Sequence, residues 1–191
     1  MRTFVDEHYR HFNAGTLGRA ARSLNGFLEE GGQVFVTLAG AMSTAEIGRT
    51  LAEMIRAGHV AAISCTGANL EEDLFNLVAH DAYVSIPSPE NLSPEDEANL
   101  FERRLNRVTD VCIPEEEAIR VIEQELMKLW TDAQAADESL LPHLHLYRLL
   151  TSGSLATSFQ FDPKHSWLLA AAERNLPLYV PGWEDSTLGN I

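Results

Sequence analysis

Between Ser64 and Asp73 the chain passes from hydroxyl and thiol side chains, through Gly67 and Ala68, into one amide and three carboxylates. The apolar run from His59 to Ile63 leads into this stretch. Leu74, Phe75, Leu77 and Val78 follow it with helical spacing. A strand, a small-residue turn and a helix start form an anion site, because the first backbone amides of a helix lack internal partners and point outward. Glu71 and Glu72 beside that helix end add a second chemistry, suited to ribose hydroxyls or to a cationic substrate.

Two other segments share the pattern. Ala39 to Ser43 follows the β-prone run Gln33 to Leu38, and Pro181 to Asn190 follows Leu176 to Val180. If the three strands are parallel, all three loops lie at the carboxyl edge of one sheet, where open α/β sheets bind ligands. None has the GxGxxG spacing or the Walker lysine–serine pattern, so spacing alone names no cofactor.

Other chemistry-bearing residues carry less. Cys65 stands at a strand end where a nucleophile could be presented, although small buried cysteines are the commoner case. His143 and His145 would share one side of a strand but face apart in a helix, and no cysteine or close acidic partner completes a metal set. His8 and His11 lie in the N-terminal arm and read as surface or subunit-contact residues.

The elements that must position these loops follow from hydrophobic periodicity. Residues 1–15 read as an arm. A helix is expected from Leu17 to Glu30, with Leu17, Ala20, Ala21, Leu24 and Leu28 on one side and Gly31 and Gly32 ending it. Another is expected from about Thr44 to Ala57, before the His59–Ser64 strand. Helix–strand alternation of this kind implies parallel strands with helical crossovers. Residues 80–114 read as loop-rich, with a helix start at Ser93–Pro94. Pro114 opens a further helix through Ile119, Ile122, Leu126 and Trp130, whose three glutamates suit the helix dipole. Trp130, Leu141, Leu144, Leu149 and Leu150 read as core. Asp162–Pro163 reads as the cap of a helix containing Trp167 and Leu168.

The chain has 191 residues, 45% of them hydrophobic, enough for one sizeable core. Its net charge of -14 argues against nucleic acid as a partner. Two cysteines outside any CxxC pattern argue against a disulfide framework or structural zinc. There is no signal-peptide core and no apolar run of membrane-spanning length, so the expected location is the cytoplasm.

The loops at Thr37–Ser43, Thr66–Asp73 and Pro181–Asn190 resemble the deoxyhypusine synthase family, most closely its bacterial deoxyhypusine synthase-like branch. The likeness runs from about residue 4 to the end. It implies an α/β, Rossmann-like parallel sheet with helices on both faces, NAD as cofactor and a homotetramer. It also implies transfer of the aminobutyl group of spermidine to an acceptor amine, either a protein lysine or putrescine; the second would be homospermidine synthesis. By resemblance, Ser43, Thr66, Gly67, Ala68, Glu72 and Asp185 match NAD-contacting segments, with Glu71 a neighbouring candidate. Asn190 stands where the protein-modifying enzymes hold a substrate ammonium with an aspartate, and Ala39 and Gly40 depart from a serine–asparagine pair. The family's lysine nucleophile lies beyond the equivalent of residue 191, and Lys128 and Lys164 lack its context. The expectation is therefore that residues 1–191 form the N-terminal part of one NAD-binding domain, incomplete at its C-terminus and inactive alone. The other expectation is a catalytically inactive binding or regulatory subunit paired with an active paralogue.

Overall fold

The computed structural model describes residues 2–191. Helices α1 (Arg2–His8) and α2 (Phe12–Glu29) precede strand β1 (Val34–Leu38), helix α3 (Gly48–Arg56), strand β2 (Val60–Cys65) and helix α4 (Gly67–Ala79). Strand β3 (Val84–Ser85), helix α5 (Pro94–Glu102) and strands β4 (Leu105–Val108) and β5 (Val111–Pro114) follow. Helices α6 (Arg120–Ala135), α7 (Pro142–Thr151) and α8 (Trp167–Glu173) then lead to strand β6 (Leu178–Tyr179).

The order β1-β2-β6 forms one sheet, and both pairings are parallel. Leu38 pairs with Cys65, and Ser64 with Tyr179, so the three strands end together. The parallel arrangement expected from helix–strand alternation is therefore present. Side chains alternate across it. Ile63 and Leu178 are buried with Leu51 and Ile55 of α3, Leu70 and Leu74 of α4, and Trp167 and Leu168 of α8 in one continuous core. The opposite face is bare. Phe35 and Tyr179 stack across it at 6.4 Å between ring centroids, and they are 56% and 57% exposed. The helical layer expected on that face is not packed against them.

Several sequence expectations need correction. Residues 80–114 are not simply loop: β3, β5 and β4 form a second, antiparallel sheet in that order. Strands of two to four residues are too short to show a two-residue period. The first long helix starts at Phe12 rather than Leu17, and its buried residues are Gly15 and Gly18 instead of the leucine stripe. Leu17 and Leu24 are exposed. Leu141, expected in the core, is 62% exposed because it precedes α7 as its N-cap. Ser166, not Asp162, caps α8, accepting from the Leu169 amide at 3.0 Å. The Ser93 start is as expected: Ser93 Oγ accepts from the Asp96 amide while the Asp96 carboxylate accepts from the Ser93 amide, a closed capping box.

The two sheet faces should respond differently to truncation. Leu74→Ala removes a wholly buried side chain and should cost about 2–5 kcal/mol. Phe35→Ser on the bare face should cost under about 1 kcal/mol. Urea denaturation of the two variants checks the contrast.

Candidate functional site

The shared end of β1, β2 and β6 brings the three loops around one cavity of about 390 Å³. Gly40 and Ala41 come from the first loop, Thr66, Gly67, Ala68 and Glu72 from the second, and Gly182 and Asp185 from the third. Thr66, Gly67, Ala68, Glu72 and Asp185, singled out in the sequence, thus stand in one wall. Thr66 is the N-cap of α4 but makes no side-chain cap bond. The start of this thirteen-residue helix thus has no side-chain cap, and its first two residues, Gly67 and Ala68, line the cavity.

Ser43 and Glu71 stand behind the wall. Ser43 is buried; its hydroxyl donates to the Asn69 carbonyl at 2.6 Å and accepts from the Trp167 indole at 2.9 Å. Glu71 is also buried, and its two carboxylate oxygens accept from the amides of Thr187 at 3.1 Å and Leu188 at 2.7 Å. A carboxylate so engaged holds the third loop against α4. Asn190 is not in this cavity. It opens onto a neighbouring one of about 330 Å³, with Asn106, Glu115, Arg120 and Glu123, where Arg120 pairs with Glu115 at 2.5 Å and with Glu123.

Close approach sets the residue at 67. A Cβ there would lie 2.7 Å from both Cβ and Oγ of Ser186, so only glycine lets the third loop seat on the start of α4. Ser186 in turn donates to the Trp183 carbonyl at 2.7 Å and accepts from the Gly189 amide at 3.1 Å, which fixes the turn.

Burial dominates the electrostatics. Glu72 is buried in the wall, and its desolvation raises the carboxyl pKa; the Thr44 amide, donating at 3.2 Å, opposes the rise, and the nearby Glu71 charge adds to it. Asp73 points into the core. Burial pushes its pKa up to about 7, against the Ser166 hydroxyl at 2.5 Å and the Leu168 amide at 3.2 Å, both donating to it. Burial also pushes the Cys65 thiol up to about 12, which leaves no thiolate at neutral pH and makes this cysteine a packing residue. His143 and His145 lie on α7, packed edge-on against Tyr147 and Trp130 respectively. Among the described residues, no group of three or more His, Cys, Asp or Glu side chains could hold a metal ion, and no helix is long and apolar enough to cross a membrane.

Sequence reasoning missed Asn69 and Trp167 as parts of the site. Asn69 is fully buried, and its side-chain amide donates to the Gly40 carbonyl and to Thr66 Oγ1, both at 2.8 Å. Its place in the helix's first turn, facing the first loop, was the available signal.

Comparison with known proteins gives a consistent picture. The deoxyhypusine synthase family model matches residues 6–191. The protein named "Probable deoxyhypusine synthase 1" of Archaeoglobus fulgidus is 27% identical over 183 residues, covering 93% of this chain and 53% of its own length. A "Deoxyhypusine synthase-like protein" of a Cyanothece species is 27% identical over 188 residues, covering 97% of this chain and 45% of its own. A crystal structure from Entamoeba histolytica, assigned as a deoxyhypusine synthase, superposes with a TM-score of 0.51 at 15% identity, over 83% of this chain and 43% of that one. That likeness concerns the fold. The chain spans about half the length of the curated relatives it matches.

Two outcomes test the geometry. Gly67→Ala should displace the third loop, seen as faster hydrogen exchange at the Thr187 and Leu188 amides. Asp73 gives a pH signature. Its folded pKa lies above the ordinary value near 4, so the folded state binds the proton more tightly, and stability should fall as pH rises from about 4 through about 7. Asp73→Asn should flatten that part of the curve of melting temperature against pH.

Proposed function

This chain belongs to the deoxyhypusine synthase family, and we propose that it supplies the NAD-binding wall of an enzyme that moves the aminobutyl group of spermidine to an acceptor amine. The observation that carries this reading is the meeting of three strand-end loops around an uncapped helix start, with Glu72 in the same wall. NAD, when bound, supplies a hydride acceptor for the polyamine and the hydride that later reduces the transferred imine. The residues present suit it. The Gly67 and Ala68 amides would receive the pyrophosphate, Glu72 would accept from ribose hydroxyls, and Asp185 would close the wall from the third loop. Ser43 and Glu71 serve the same site from behind, by fixing the first and third loops.

In this reading, residues 1–191 are the N-terminal part of a single Rossmann-like domain whose sheet continues beyond three strands. The bare face with Phe35 and Tyr179 supports it, since parallel sheets are ordinarily covered on both sides. The assembly would be homotetrameric, as the family resemblance implies, with the cytoplasm as its expected location. Asn190 can hydrogen-bond an ammonium but cannot neutralise it. The polyamine would then be held differently at this position, and the bacterial-type loops favour a small amine such as putrescine as acceptor, giving homospermidine, over a protein lysine.

One observation favours a second reading, a binding or regulatory subunit that works with an active paralogue. Imine transfer requires a desolvated or otherwise activated lysine. Lys128 and Lys164 are both well exposed, and each is paired at 2.5 Å with a carboxylate, Glu125 and Asp162 respectively. Neither lines the cavity.

Glu72→Ala should weaken NAD binding at least about tenfold, roughly the 1.4 kcal/mol of one good polar contact, measured by titration calorimetry. Unchanged affinity would remove Glu72 from the cofactor site. Incubating the assembled protein with NAD and spermidine, and offering putrescine or a protein lysine, separates the readings. No spermidine-dependent product from any such assembly would exclude the transferase.

A further inference from the structure

Asn69 occupies an unusual position in this wall. It is completely buried, and both of its side-chain hydrogen bonds are donations, to the Gly40 carbonyl and to Thr66 Oγ1. Its own Oδ1 is buried without a partner. An orphaned acceptor of this kind costs about 1–3 kcal/mol. A residue chosen for stability alone would not leave it so; Asn69 is better explained by what its two donations hold in place.

What they hold is one peptide plane. Gly40 has φ of +68°, and a Cβ at this position would meet nothing within 4 Å, so glycine is required here by conformation and not by space. With that φ, the Gly40 carbonyl turns inward to Asn69. In a planar trans peptide the carbonyl and the following N–H point in opposite directions. The Ala41 N–H therefore turns away from the Asn69 side-chain amide, and both Gly40 and Ala41 line the cavity. Below this peptide, the Ser43 hydroxyl is tied to the Asn69 backbone carbonyl and to Trp167, so the loop is anchored at its far end as well.

We propose that Asn69 is a positioning residue that orients the Gly40–Ala41 peptide so that the Ala41 amide faces the Gly67 and Ala68 amides across the cavity. The pair of walls then forms a two-sided clamp for a phosphate-bearing ligand, with donors from two loops instead of one helix end. This rests on the NAD-site reading and adds to it the device that sets the second set of donors. Asn69 does not itself touch the ligand; its effect travels through the Gly40 carbonyl.

The test uses the 191-residue chain with Asn69→Ala and Asn69→Asp. Removing the side chain deletes two hydrogen bonds and one orphaned acceptor, so the melting temperature of Asn69→Ala should stay within a few degrees of the parent. Hydrogen exchange should rise at the amides of Ala45, Glu46 and Ile47, which are bonded to the carbonyls of Ala41, Ser43 and Met42. NAD affinity by calorimetry should fall at least about tenfold, or 1.4 kcal/mol. Asn69→Asp should bind NAD weakly at pH 8 and recover as the pH falls, because a protonated carboxyl can again donate to the Gly40 carbonyl. A merely structural role would give no such pH profile. Unchanged exchange at residues 45–47 in Asn69→Ala overturns the proposal, as does parental NAD affinity in that variant. If the parent chain itself binds no NAD, the cofactor reading fails for this chain, and the exchange data still decide whether Asn69 holds the loop.

Discussion

The burial of helix α4 is the constraint on which the rest of the molecule depends. Every residue from Asn69 to Ala79 is buried, although Asn69, Glu71, Glu72 and Asp73 carry polar or ionisable groups. A buried polar group without a partner is costly, so each of these side chains must find one within the protein. The partners come from four different places: Gly40 and Thr66, Thr187 and Leu188, Thr44, and the start of α8. Satisfying one helix therefore fixes the positions of all three strand-end loops.

This arrangement separates the lining of the cavity from the placement of the loops. Glu71 and Glu72 are adjacent in sequence, yet successive helical residues point about 100° apart. One reaches the backbone of the third loop and the other enters the cavity wall. Asp73 turns further, into the core, where its carboxyl caps the approach to α8. The run of three acids is thus one anchor, one wall residue and one core partner, and burial is what raises the carboxyl pKa of Glu72 and of Asp73.

Much of the site was legible because backbone geometry is local. A β-prone run ending in small residues, followed by acidic and then helical residues, specifies strand, turn and helix start without reference to the rest of the chain. Further strand-end loops of small and polar residues at 39–43 and 181–190 then located the cavity, since parallel strands must present their carboxyl ends on one edge. The antiparallel sheet of β3, β5 and β4 was not legible, because its strands are too brief to carry a period. The exposed stripe of α2 was misjudged for a related reason: apolar spacing shows that a face can be buried, but not that anything packs on it.

The sequence by itself determined the three loops, the family likeness and the glycine and carboxylate types that suit a phosphate- and ribose-bearing cofactor. These depend on residue identity and short spacing, which chain connectivity alone preserves. The tertiary structure decided which carboxylate faces the cavity, why position 67 admits only glycine, that Ser43 is held by Trp167, and that Asn69 bridges two loops. Those facts join residues far apart in the chain, such as Gly40 with Asn69 at 29 positions and Ser43 with Trp167 at 124. Only packing brings such residues within hydrogen-bond distance, and only packing removes the water that would otherwise satisfy them.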